Sequence, residues 1–254
     1  MKPRIAIINF PGTNCEQESK VACEAVGMKA EIIRWNEQKD LNVFDGFILP
    51  GGWSYEDRIR SGVIASKDPI MQKLKEQAAK GKAILGICNG CQILIESGLV
   101  GDGKIALAPN VNPLVSGYYS TWVTIKAATA KKNAFTSFLP KGEVIPIPIA
   151  HGEGRFVSSD YSVLGEMEDD GQIAFVYSDA QGNVSPEFPV NPNGSTLNIA
   201  GILNEKGNVL ALMPHPERGF FRFQLKEKEM KTFEDAMSIT KAAKIFESMR
   251  EYCA

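Results

Sequence analysis

One stretch constrains this chain more than any other: a wholly apolar strand that ends on a nucleophile. Ala83 to Ile87 runs directly into Gly86-Ile87-Cys88-Asn89-Gly90, and the residues that follow, to Ser97, suit a helix. Strand, sharp turn and helix with a reactive side chain at the turn is the arrangement of the G-x-S-x-G elbow, here with a thiol in place of the hydroxyl. Glycine on each side leaves room for a strained turn that lifts the side chain out at the edge of the sheet. A helix N-terminus just beyond lowers a thiol's pKa and offers backbone N–H groups. The plainer alternative is a buried free cysteine.

The flanking pattern says what kind of sheet this strand joins. Arg4 to Phe10 is a β-branched run, Pro11-Gly12 turns the chain, and Thr13 with Glu16 has the form of a capping box opening a helix to Val26, where Gly27 stops it. Strands over Lys29 to Arg34 and Gly46 to Leu49 follow, and Asp68-Pro69 opens a helix to Ala79. Helices alternating with buried strands imply a mostly parallel sheet covered on both faces, with its ligand site off the carboxyl ends of the strands.

Beyond Gly98 the runs shorten and alternate: Thr121 to Ala127, Val144 to Ile149, Gln172 to Tyr177, Leu197 to Leu203 and Val209 to Met213. These read as added antiparallel strands, with Ile199 to Met213 a hairpin around Glu205-Lys206-Gly207-Asn208. Lys231 to Tyr252 carries apolar residues at near-helical spacing and predicts one amphipathic closing helix. Residues 180 to 196 read as a tethered surface loop or as a lid. The expected architecture is α/β: an open, mostly parallel, flavodoxin-like sheet flanked by helices, with extra antiparallel strands in the second half, forming one domain over residues 1–254.

Composition narrows the class of function. Among 254 residues, 28 Lys and Arg against 30 Asp and Glu give a net charge of -2, with no basic run, which argues against a nucleic-acid partner. The apolar stretch after Met1 is too short for a signal peptide, and no segment approaches a membrane span. Five cysteines at irregular spacing suit a reducing cytoplasm better than a disulfide framework, so a cytoplasmic chain is expected. Cys88 and Cys91 make a C-x-x-C, but no second ligand pair accompanies it, and a metal site is not expected.

A thiol nucleophile needs a base, and the chain has two histidines. His215 lies in Met213-Pro214-His215-Pro216-Glu217-Arg218, where Pro216 biases it toward an extended conformation. In an extended segment Glu217 shares its face and can hold its tautomer, which would complete a Cys-His-Glu triad. His151, in Ala150-His151-Gly152-Glu153-Gly154-Arg155, also has a glutamate two residues on, so spacing does not choose between the two. Gly51-Gly52, after the third strand, is either an amide source for an oxyanion hole or a plain tight turn.

These motifs together resemble a known family. Pro11-Gly12-Thr13-Asn14-Cys15, Leu49-Pro50-Gly51-Gly52-Trp53-Ser54-Tyr55, Gly86-Ile87-Cys88-Asn89-Gly90-Cys91-Gln92, the His151 to Arg155 segment, Pro192-Asn193-Gly194-Ser195 and the Met213 to Arg218 segment are similar to the glutamine-amidotransferase subunits of phosphoribosylformylglycinamidine synthases, within the class I (triad) amidotransferases. The likeness runs over nearly the whole chain; Asn110 to Trp122 matches poorly, and Cys91, Trp53 and Glu56 depart from the usual residues without removing a triad group.

The resemblance implies a triad of Cys88, His215 and Glu217, with Gly51, Gly52, Asn89, Gln92 and His151 around the oxyanion and the glutamine. It implies hydrolysis of glutamine, with ammonia passed to a large synthetase subunit accompanied by a small companion subunit. No cofactor is expected on this chain, which lacks a P-loop; ATP and Mg are expected on the synthetase. Two rival readings are a cysteine γ-glutamyl hydrolase or peptidase with the same elbow, and a non-catalytic binding subunit.

Overall fold

Residues 1–111, 117–225 and 230–254 are described by a computed structural model. The first half contains β1 (Arg4–Asn9), α1 (Glu16–Ala25), β2 (Lys29–Arg34), β3 (Gly46–Leu49), α2 (Val63–Ser66), α3 (Pro69–Ala79), β4 (Ala83–Ile87) and α4 (Asn89–Glu96). The second half adds β5 (Ala106–Ala108), β6 (Tyr119–Ala127), β7 (Val144–His151), β8 (Arg155–Val157), α5 (Tyr161–Asp169), β9 (Ile173–Ser178), β10 (Ile199–Leu203), β11 (Val209–Leu212), α6 (Phe233–Met237) and α7 (Ala243–Cys253).

Nine strands form one sheet in the order β2-β1-β3-β4-β11-β10-β9-β6-β7, and β5 pairs with β8 in a separate ribbon. The five strands from β2 to β11 are parallel, in the order of flavodoxin-like sheets; the other four pair antiparallel. Every residue of β3, β4 and β11 is buried, as expected for strands covered on both faces. Asp68 caps α3 by accepting from the Ile70 N–H, with Pro69 in the first turn, as the sequence predicts. One apolar cluster extends from Ile5 to Met249.

Three expectations need correction. Thr13 is not the N-cap of α1: its hydroxyl accepts from the Phe10 N–H and closes the preceding turn, so Cys15 takes the cap position without a side-chain bond. The closing helix is two helices. Between them Ser238 is extended, Ile239 bridges Phe221, and Arg222 and Thr240 exchange backbone bonds with Ser238 and Phe220, so sheet-like pairing overrides the helical period. Finally, the strand at Val209–Leu212, expected among the added antiparallel strands, is antiparallel only to β10; against β4 it is parallel, so it completes the parallel half of the sheet.

The loop at 180–196 is anchored. Asn191, Asn193 and Ser195 are buried, and Asn193 donates from Nδ2 to the Gly154 carbonyl at 2.8 Å, fixing the turn that follows β7.

Candidate active site

The elbow forms as its glycines suggest. Cys88 has φ 50° and ψ −104°, a backbone strain of about 1–3 kcal/mol for a residue with a Cβ. It is held by the Cys88 N–H bond to the Leu212 carbonyl at 2.8 Å and by the tight crossing of α4 over β3. A Cβ added at Gly90 would stand 1.8 Å from the Leu49 carbonyl oxygen, so only glycine permits that crossing.

β11 lies beside β4 in parallel register, Leu212 opposite Ile87, and therefore delivers its C-terminal residues next to the elbow. His215 donates its N–H to the Pro148 carbonyl at 2.8 Å, and its Nδ1 meets Glu217 Oε1 at 2.6 Å with both side chains buried. The contact is not made along an extended strand: Pro216–Arg218 is a 3-10 turn, and this turn brings Glu217 back to the ring. Burial pulls the imidazolium's pKa down, but the charges of Glu217 and Cys88 outweigh it and hold His215 well above the usual histidine value. With Nδ1–H given to Glu217, Nε2 has no hydrogen bond among the described residues.

The parts converge on Gly51. A Cβ there would lie 2.8 Å from His215 Cε1, 3.1 Å from Cys15 Sγ and 3.5 Å from Cys88 Cβ. Gly51 thus borders the thiol and the imidazole, and Gly52 lines the same cleft. Gly52 bridges Thr13 through its neighbours' bonds, Asn14 N–H to the Gly51 carbonyl and Trp53 N–H to the Gly12 carbonyl, which leaves its own N–H out of the bridge.

The side chains of Asn89 and Gln92 are turned to one another. Asn89 accepts from the Ser54 N–H at 3.0 Å and donates to Gln92 Oε1 at 2.9 Å, while Gln92 donates to the Glu153 carbonyl at 2.7 Å. The chain of bonds ties the loop after β3 to the turn after β7 across the elbow. His151 lies in the same cleft, of about 190 Å³, with Cys88, His215 and Gln92.

Several neighbours were not foreseen. Cys15 is buried, gives its thiol proton to Asn14 Oδ1 at 3.1 Å, and is pushed up in pKa chiefly by burial. Trp53 and Tyr118 stack at 5.9 Å between centroids and line the cleft; both are half exposed. Asp57 reaches it on a left-handed turn in which Tyr55, Glu56 and Asp57 all have positive φ, and burial raises its pKa. Asn110 holds His151. Cys15, Trp53 and Asp57 fall in stretches that carry the family resemblance; Tyr118 and Asn110 come from the stretch that carries no motif.

Donor atoms of Cys15, His215 and Glu217 lie within 4.8 Å of one another. The Nδ1–Oε1 separation of 2.6 Å is nevertheless that of a hydrogen bond, shorter than the roughly 3.2 Å that two ligands of one tetrahedral zinc keep. His215 Nδ1 and Glu217 Oε1 are thus bonded to one another rather than spaced as two ligands of one ion.

Fold and site together have the form of a Cys-His-Glu constellation on an open α/β sheet, at the carboxyl ends of its strands. The family model for the CobB/CobQ-like glutamine amidotransferase domain matches residues 2–253. The chain is 50% identical to phosphoribosylformylglycinamidine synthase subunit PurQ of Methanothrix thermoacetophila, over 98% of this chain and 97% of that protein. Against the subunit PurQ of Methanosarcina acetivorans it is 43% identical over the same shares. In the structure of PurLQS from Thermotoga maritima, one chain superposes with a TM-score of 0.78 at 35% identity, covering 100% of both chains. The chain belongs to the CobB/CobQ-like glutamine amidotransferases and, within them, to the family of phosphoribosylformylglycinamidine synthase subunit PurQ.

Proposed function

We propose that this chain is the glutaminase subunit of a phosphoribosylformylglycinamidine synthase, acting as one domain. It hydrolyses glutamine to glutamate and supplies ammonia to an ATP-dependent synthetase subunit, which converts formylglycinamide ribonucleotide to the amidine in purine biosynthesis. The observation that carries the reading is the buried His215–Glu217 pair at 2.6 Å beside a cysteine held at positive φ.

Cys88 Sγ attacks the carboxamide carbon as His215 takes the thiol proton through Nε2. The oxyanion is received by the N–H groups of Gly52 and of Asn89, the first residue of α4, whose N–H has no partner within its helix. His215 returns the proton to nitrogen, the C–N bond breaks, and ammonia leaves a γ-glutamyl thioester. Water, deprotonated by the same imidazole, then cleaves the C–S bond and restores the thiol. Glu217 fixes the tautomer and stabilises the imidazolium throughout.

Kinship with the chain of the Thermotoga maritima PurLQS structure supports assembly with a large synthetase subunit and a small companion subunit. ATP and Mg belong to the synthetase, and this chain needs no cofactor. No described helix is long and apolar enough to cross a membrane, in keeping with a cytoplasmic role.

The test is glutamate release by the assembled complex with ATP and formylglycinamide ribonucleotide, wild type against Cys88→Ala. Glutamate in step with amidine, abolished in the variant while ammonium salts still drive the synthetase, is the expected result. Cleavage of γ-glutamyl peptides in preference to glutamine would favour the hydrolase reading instead.

A further inference from the structure

Cys15 is a second thiol in the catalytic cleft, and the chemistry above makes no use of it. Its place is fixed by the backbone. The N–H groups of Asn14 and Cys15 both donate to the Gly51 carbonyl, at 3.1 Å and 3.2 Å, and the Cys15 carbonyl accepts from the Ser19 hydroxyl at 2.8 Å. The start of α1 is thereby pinned to the loop that borders Cys88. Around the position a Cβ on Gly51 would take, Cys15 Sγ stands at 3.1 Å and Cys88 Cβ at 3.5 Å. The two cysteines are therefore separated by no more than those two contacts laid end to end. Cys88 Sγ is bonded to the Ala150 carbonyl at 3.5 Å, a weak hold for a thiol, and rotation about its Cα–Cβ bond is the movement that closes the gap.

The two thiols also share one base. Cys15 Sγ, a ring nitrogen of His215 and a carboxylate oxygen of Glu217 lie within 4.8 Å of one another. Burial disfavours the imidazolium, yet Glu217, Cys88 and Cys15 together hold the His215 pKa well above the usual histidine value. Cys15 is itself pushed up, chiefly by burial, so at rest it is a neutral thiol that reacts only when a base takes its proton. Cys91 completes the C-x-x-C with Cys88 but is wholly buried in the core and does not line the cleft. Of the two cysteines nearest the nucleophile, Cys15 is the one that meets both the cleft and the imidazole.

We propose that Cys88 and Cys15 form an oxidative modification site, in which Cys15 is the resolving thiol that closes a reversible disulfide once a hydroperoxide has oxidised the nucleophile. This rests on the assignment of Cys88 as nucleophile in the glutaminase reading. In the first step the Cys88 thiolate attacks one peroxide oxygen; the O–O bond breaks, Cys88 becomes a sulfenic acid, and the other oxygen leaves as water with the former thiol proton. In the second, His215 takes the Cys15 proton and the Cys15 thiolate attacks Cys88 Sγ. The S–O bond breaks, the S–S bond forms, and hydroxide takes the proton from His215 to leave as water. The two sulfurs lose two electrons in all, and the peroxide gains them. The disulfide blocks the nucleophile and spares it the further, irreversible oxidation to a sulfinic acid. A transient bond of this kind is compatible with a reducing compartment, where a thiol reductant reopens it.

The experiment treats the full chain with hydrogen peroxide, maps its cysteines by mass spectrometry, and then assays glutamate release in the assembled complex before and after dithiothreitol. The wild type is expected to yield a cross-link between the tryptic peptides of residues 5–20 and 83–104, joining Cys15 to Cys88, and to regain most of its untreated rate on reduction. Cys15→Ser is expected to gain oxygen at Cys88 instead, and to recover about tenfold less of its own untreated rate, because a sulfinic acid resists the reductant. Cys91→Ser is expected to behave as the wild type. Equal recovery in wild type and Cys15→Ser, a map joining Cys88 to Cys91, or a Cys15 left free in the oxidised chain would overturn the assignment. The wild-type map needs no variant, so a Cys15→Ser chain that failed to fold would leave the decision to it. An untreated wild type that releases no glutamate would instead overturn the glutaminase reading, while the map still decides the disulfide.

Discussion

Glu217 Oε1 stands 2.6 Å from His215 Nδ1, with neither side chain open to water. At that separation and burial the carboxylate decides both the tautomer and the proton affinity of the ring. Glu217→Gln keeps the shape and removes the charge that raises the imidazole's pKa. Glutamate release by the complex is expected to fall by about 10²–10⁴-fold. A loss under threefold would show that the carboxylate is not part of the base.

Asn89 holds two loops at once, through the Ser54 N–H at 3.0 Å and Gln92 Oε1 at 2.9 Å. Asn89→Ala leaves the buried Ser54 N–H without its acceptor. A stability loss of about 1–3 kcal/mol is expected in urea unfolding, with a fall in glutaminase kcat/KM as the loop after β3 loosens.

Gly90 tolerates no side chain, since a Cβ there would meet the Leu49 carbonyl oxygen at 1.8 Å. Gly90→Ala must push α4 off β3. The expected cost is about 3 kcal/mol or more, with loss of glutaminase activity; thermal unfolding within about 2 °C of wild type would contradict the crossing described.

His151 makes the fold acid-sensitive. Its folded pKa is drawn down to about 3, first by burial and then by His215, against an ordinary 6.5. Between those values the unfolded chain holds a proton that the folded chain lacks, so stability falls as pH falls, by up to about 1.4 kcal/mol per unit. His215, raised in the fold, acts in the other direction: its contribution is complete below pH 6.5 and fades at higher pH. Urea midpoints at pH 6.5 and pH 5 are expected to separate more for wild type than for His151→Phe.

The legible parts of this structure are those where one local rule acts alone. The apolar run Ala83–Ile87, the Asp68-Pro69 helix start and the flanking glycines of Cys88 each specify their conformation within a few residues, and all three form as read. His215 and Glu217 are also legible, although a 3-10 turn rather than an extended strand joins them. The illegible parts depend on distant neighbours. Nothing local announces that Ile239 will pair with Phe221 and divide the closing helix, or that Asn110 will hold His151 from 41 positions away. The resemblance places Asn89 and Gln92 around the oxyanion and the glutamine; their side-chain amides are engaged with protein, Asn89 with Ser54 and Gln92, and Gln92 with the Glu153 carbonyl, partners that no local pattern announces.

The adjacency of β4 and β11 has a temporal meaning. Synthesis proceeds from the N-terminus, so the thiol of residue 88 is made well before the imidazole of residue 215, and the strand that unites them is the last in the sheet. A nascent chain holds its nucleophile without a base until that final pairing closes over a long loop. Under the proposed mechanism, a chain that ends before residue 215 can release no ammonia.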